Sequence, residues 1–145
     1  MTSWRNISVD RGAMGVHTLA ELVGAWGHHV SRLEREARAH PAAGSRERAD
    51  VWGVYDLIAA NYLRDVLEPL MQALGDRERA DMRSALDAVD QRFLGFTVPD
   101  VHKIVQRIDG GGPRSAWWWN RIPERGPVLD DVAYMLPPGD PDEAG

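Results

Sequence analysis

Apolar residues recur at helical spacing along most of the chain. Leu19, Leu22, Val23, Trp26, Val30, Leu33 and Ala37 form one stripe, because successive side chains fan out by about 100° and return to the same face after three or four residues. The pattern predicts a helix over residues 18–40. Thr18 and Glu21 make a capping box at its start, in which hydroxyl and carboxylate satisfy each other's free amides, and Pro41 ends it. Gly24 and Gly27 each weaken a helix interior by about 1 kcal/mol relative to alanine, so packing has to compensate.

After a loop at residues 40–45, a second helix is predicted over residues 46–74. Its inward arc carries Val51, Trp52, Tyr55, Ile58, Ala59, Tyr62, Leu63, Val66, Leu70 and Ala73, widened by Leu67, Met71 and Leu74. So broad an arc marks a central helix with several neighbours. Asp56, Arg64 and Glu68 fall on the remaining polar side at four-residue steps. Pro69 removes one backbone hydrogen bond and predicts a kink or a restart.

Gly75 closes that helix and Asp76 caps a third, over residues 76–96, with Met82, Ala85, Leu86, Val89, Phe93 and Phe96 as its stripe. The short link makes helices two and three antiparallel neighbours. Residues 97–100, Thr-Val-Pro-Asp, resemble a helix start with proline in the first turn. Val101, Ile104, Val105 and Ile108 supply the apolar face of a short fourth helix, which Asp109 and the following triglycine stop.

Residues 110–113 read as a hinge. In the segment 114–136, Ser115 is placed to cap a brief helical turn, Pro123 and Pro127 interrupt the chain, and residues 128–135 suit one more short helix. The tail 137–145 has nothing to bury and is expected to be disordered. Together these elements predict a single all-α domain over residues 1–136, a four-helix antiparallel bundle at 16–109 with a Trp-rich C-terminal segment packing across it.

Composition narrows the function classes. A chain of 145 residues can bury a core without covalent staples. It has no cysteine, which removes disulfides, thiolate metal sites and cysteine nucleophiles together. No apolar run suits a signal-peptide core or a membrane span, so the reading is a cytoplasmic protein with no membrane partner. A net charge of −5 argues against nucleic acid as partner, since phosphate binding needs concentrated positive charge. Lys103 is the only lysine; the heavy use of arginine with Ala, Gly, Asp and Val resembles a GC-rich bacterial coding bias.

Trp117, Trp118 and Trp119 are consecutive and make up half of the chain's six tryptophans. No regular backbone can turn all three to one face. Each buried aromatic removes roughly 150–250 Å² from water, so the segment either closes an open end of the bundle over Trp26 and Trp52 or leaves an indole exposed as an anchor. In the second case Asn120, Arg121 and Arg125 stand beside it, and tryptophan and arginine dominate binding hot spots. That favours a non-enzymatic protein-binding or accessory protein, of a neutralising kind, whose partner is another protein or a second copy. The competing class is a small-molecule binding protein or enzyme with an aromatic pocket lined by Trp26, Trp52, Tyr55 and Tyr62. Arg114, the three tryptophans, Arg121 and Arg125 also combine cations with stacking surfaces as single-strand binders do, but Glu124, Asp130 and Asp131 cut the local charge.

The remaining chemistry is sparse. His17, His28, His29, His40 and His102 are poorly spaced for a metal; only Glu36 and His40 lie one helical turn apart, and zinc takes three or four protein ligands. No metal, cofactor or catalytic residue is expected. Asp56, Asp65 and Asp90 flank apolar arcs, so one of them is expected to be half-buried in a structural ion pair with an arginine or against Tyr55 or Tyr62. Ser84, Thr97 and Ser115 lack a nucleophile-elbow context. The chain resembles bacterial immunity proteins in size, acidity and helicity, and DinB-like metal proteins in helix count without their spaced histidine triad.

Overall fold

A computed structural model describes residues 3–39 and 52–135. The capping box forms: the Glu21 backbone N–H donates to Thr18 Oγ1 at 3.1 Å and the Thr18 N–H to Glu21 Oε1 at 3.4 Å. It opens helix α1 (Leu19–Arg38), whose seven predicted stripe residues are all buried. Helices α2 (Val54–Gln72) and α3 (Asp76–Phe96) follow, then the short α4 (Ile104–Asp109) and α5 (Pro127–Met135). Two antiparallel pairs complete the fold, β1 (Ser8–Asp10) with β2 (Val16–Thr18) and β3 (Thr97–Pro99) with β4 (Arg121–Pro123). The protein is therefore mainly helical. Pro41, the 40–45 loop, the predicted helix start at 46 and the tail 137–145 lie outside the described residues.

Both α2 and α3 pack against α1, and α2 also meets α3, α4, α5 and the tryptophan turn, the central position its wide arc predicts. The orientation of that arc is corrected. Tyr55, Ala59 and Tyr62 face solvent, whereas Asn61 and Arg64 are buried beside Leu57, Ile58, Leu63, Leu67 and Met71. The reason is pairing across the core. Arg64 gains a buried carboxylate from α3, while the tyrosines keep their hydroxyls at the surface. Asn61 has neither amide atom hydrogen-bonded, a cost that the packing of α2 imposes on it.

The start of α2 is set from a distance. Trp52 and Gly53 precede the helix, the Gly53 N–H donates to Asp56 Oδ2 at 2.8 Å, and the Val54 N–H to Asp131 Oδ2 of α5 at 3.0 Å. A Cβ at residue 53 would lie 2.6 Å from that Asp131 oxygen, so only glycine fits without displacing α5's anchor. Pro69 neither ends nor restarts α2, which runs on to Gln72. Only three residues follow the proline, so a single backbone bond in the last turn is all that it forfeits.

Two further differences matter. Residues 97–99 are a strand instead of a helix start, because β4 returns beside them, and this leaves α4 with only six residues and Val101 exposed. Residues before 16, outside the predicted bundle, contribute to the core. Trp4 is buried against α1 and α3, its backbone N–H donating to Glu78 Oε2 at 2.7 Å and its indole to Asp81 Oδ2 at 2.8 Å.

Candidate functional site: a tryptophan turn held by two aspartates

The tryptophans form a single 3-10 turn, Trp117–Asn120, led in by Ala116 rather than by a Ser115 cap. Trp118 and Trp119 are buried and Trp117 is half-buried. Their opposed directions are resolved by giving them different neighbours. Trp117 packs on Phe93 of α3 at 6.1 Å and edge-on against Trp118 at 5.6 Å. Trp118 covers the Arg64 guanidinium at 4.3 Å, and Trp119 stands against Tyr62 and Arg114.

Asp65 on α2 collects both inner indoles. Trp118 Nε1 donates to its Oδ1 at 2.8 Å, Trp119 Nε1 to the same oxygen at 2.9 Å, and Arg114 reaches its Oδ2 at 3.4 Å. Arg114 lies against the rings of both Trp119 (4.1 Å) and Tyr62 (4.9 Å), which themselves meet edge-on. It also donates to Asp109 Oδ2 and the Tyr62 hydroxyl, and that hydroxyl donates to Asp109 Oδ1 at 2.8 Å. Burial pushes the Asp109 carboxyl up, but the hydrogen bonds from Tyr62 and Arg114 outweigh it and hold it below the ordinary aspartate range. The same bond to Asp109 raises Tyr62, since it favours the neutral phenol.

A second carboxylate centre is more deeply buried. Asp90 of α3 accepts from Trp26 Nε1 at 2.9 Å and takes two bonds from Arg64, Nε at 3.1 Å and Nη2 at 2.9 Å. Arg64 also pairs with Glu68 at 2.8 Å. Burial pushes Glu68 up, yet Arg64 keeps it below the usual glutamate range. The sequence expectation of a carboxylate in a structural ion pair is thus met twice, at Asp65 and Asp90.

The other sequence candidates are distributed as follows. Asn120 is saturated: its Nδ2 donates to the Arg114 and Ala116 carbonyls, and its Oδ1 accepts from Lys103 Nζ and Gln106 Nε2. Arg121 ties β4 to β3 through the Thr97 carbonyl at 2.6 Å, and exposed Arg125 reaches the Arg38 carbonyl at 3.4 Å. Trp26, Trp52, Tyr55 and Tyr62 do not converge on one cavity. Trp26 is in the core on Phe93, Trp52 packs beside His29 and Arg32, Tyr55 is exposed, and Tyr62 meets Trp119. Asp65 and Arg114 carried a legible signal as charges next to aromatics. Gln106 and Asp109 carried none, since the partners of Gln106 lie in the returning segment and those of Asp109 are divided between that segment and Tyr62 of α2.

Among the described residues no group of three or more His, Asp or Glu side chains is placed to hold a metal ion, and no helix is long and apolar enough to cross a membrane. Comparison with family models, with curated proteins and with solved structures finds no match.

Proposed function

We propose that the protein is a non-enzymatic binding protein that presents the outer face of α2 to a protein partner. The observation that carries this is a stripe of uncharged residues, Tyr55, Ala59 and Tyr62, exposed on one helix face, with Tyr55 61% and Tyr62 43% accessible. Exposed aromatic surface at helical spacing suits a helix-packing contact. Tyr62 is already immobilised by Trp119, Asp109 and Arg114, so docking on it costs little side-chain entropy. The segment at 117–125 then contributes mainly by bracing this face. Its own exposed parts, Trp117 and Arg125 among them, are secondary contacts.

Two broader readings accompany this one. We take α1, α2, α3 and α5 as an antiparallel four-helix bundle, supported by α5 lying against α1 and α2. A bacterial cytoplasm is the setting we propose, supported by a cysteine-free, arginine-rich chain.

Photo-crosslinking residues placed at positions 55 and 59, with positions 77 and 87 of α3 as controls, test the interface in the native host. A discrete adduct from 55 and 59 alone is expected, and doubled mass would identify a second copy as the partner. Adducts of equal yield from the control positions, or none from α2, would defeat the reading.

A further inference from the structure

Helix α2 is apolar on two opposite sides. Leu57, Leu67 and Met71 are in the core, while Tyr55, Ala59, Tyr62, Val66, Pro69 and Ala73 follow one another at steps of four and three residues along the far side. Ala73 belongs to the row because the C-cap keeps helical backbone angles. At about 100° per residue the six positions stay within a stripe about 80° wide. None of them is charged; five are exposed and Val66 is half-buried. A helix with apolar surface all round is normally covered all round. We infer that the outer stripe packs against the same stripe of a second copy of this chain, the two α2 helices running antiparallel about a twofold axis. The inference rests on the α2 contact face proposed above and names what covers it.

Spacing is the first argument. Alternating steps of four and three average 3.5 residues, the period at which two helices stay in contact along their whole length at a crossing angle near 20°. A lone exposed aromatic has no such continuity. From Tyr55 to Ala73 the stripe runs about 27 Å, the width of a small domain.

The order of side-chain sizes is the second, and it selects a second copy. Both tyrosines stand in the first half of the stripe, and Val66, Pro69 and Ala73 fill the second. With the twofold axis at the level of residue 64, Tyr55 of each copy meets position 73 of the other, Ala59 meets position 69 and Tyr62 meets position 66. Each tyrosine then lies over a smaller side chain, as close packing requires. Parallel pairing would stack tyrosine on tyrosine and alanine on alanine, leaving overfilled and hollow layers in turn. A twofold interface has to be complementary to itself, whereas a helix of another protein places no demand on the order of sizes within this one. One helix pair makes a small interface, below about 1,200 Å² in total, so association in the micromolar range is expected.

Sedimentation equilibrium of the full chain from about 1 μM to 1 mM should show a reversible monomer–dimer equilibrium. Ala59→Glu should keep its helical content, because Ala59 is exposed, and raise the dimer Kd about a hundredfold by burying two unpartnered carboxylates. Ala88→Glu, at an exposed position of α3, should leave the Kd unchanged. Orientation is read with single cysteines in a chain that has no cysteine. Ala59→Cys and Pro69→Cys should each resist a short thiol–thiol crosslinker alone, since antiparallel pairing sets like positions about 15 Å apart along the axis, and should crosslink when mixed. Crosslinking of either variant alone with no gain on mixing would overturn the antiparallel pairing. A chain monomeric throughout would overturn self-pairing, and adducts of another mass from positions 55 and 59 would then leave the α2 contact face standing with a different partner. A dimer indifferent to Ala59→Glu would overturn the inference too, and the absence of any adduct at 55 and 59 would take the contact face with it.

Discussion

Asp90 and Asp65 present the same chemistry in two settings. Each is an aspartate that accepts from tryptophan, one indole at Asp90 and two at Asp65, and from an arginine whose guanidinium lies against an aromatic ring. Asp90 does this in the core, where the Arg64 side chain is 4% exposed, whereas the Asp65 side chain is 30% exposed and its arginine 23%. One joins three long helices and the other fastens a returning segment to α2. Burial, and not the set of partners, decides which centre holds the whole fold and which holds a part.

Asp90→Ala should have the largest effect. It removes two of Arg64's hydrogen bonds and the acceptor of the buried Trp26 N–H, and leaves the one-third exposed Glu68 as the remaining acid partner. Breaking a buried pair from one side costs about 3–5 kcal/mol, and Glu68 keeps the loss towards the lower end. Denaturant titration should show that loss in a single global transition.

Asp65→Ala strands the N–H groups of two buried indoles and should cost about 1–3 kcal/mol. Its signature is local: amide exchange should quicken over residues 114–123 while α1 keeps its protection. Equal losses from the two variants, or uniform loss of protection in the second, would break the distinction between a global and a local centre.

Acid sharpens the comparison with a smaller effect. Glu68 beside Arg64 and Asp109 beside Arg114 both have folded pKa values below their ordinary 4.5 and 3.8. A depressed carboxylate binds fewer protons when folded, so its stabilisation is present above the unfolded pKa and is lost as pH falls through the folded value. Glu68→Gln and Asp109→Asn should each flatten the fall of stability below the ordinary carboxylate range. For Asp109→Asn the flattening should appear at the 114–123 amides. A full acid slope at those amides in Asp109→Asn would remove Asp109 from the local centre.

The legibility of these centres from sequence was uneven for a physical reason. Periodicity reports which positions on a helix are apolar, and on α1 and α3 the apolar stripe is the buried one. On α2 the apolar arc is too wide to choose its own inward side, so Asp90, 26 positions beyond Arg64, chose it. That exchange turned Tyr55 and Tyr62 outward and created the proposed contact face. The 97–99 strand shows the same dependence, since an extended segment needs a partner and β4 lies beyond the triglycine.

Local chemistry in the sequence determined the helical class, the capped start of α1, the extent of α3 and the demand that three adjacent indoles find different surroundings. Tertiary structure alone decided which surroundings those were. Trp117 rests on Phe93, Trp118 on Arg64, and Trp119 between Tyr62 and Asp65. A hydrogen-bond donor specifies the kind of partner it needs but not where along the chain that partner lies. Only the folded path brings α2 within 3 Å of an indole more than 50 residues away.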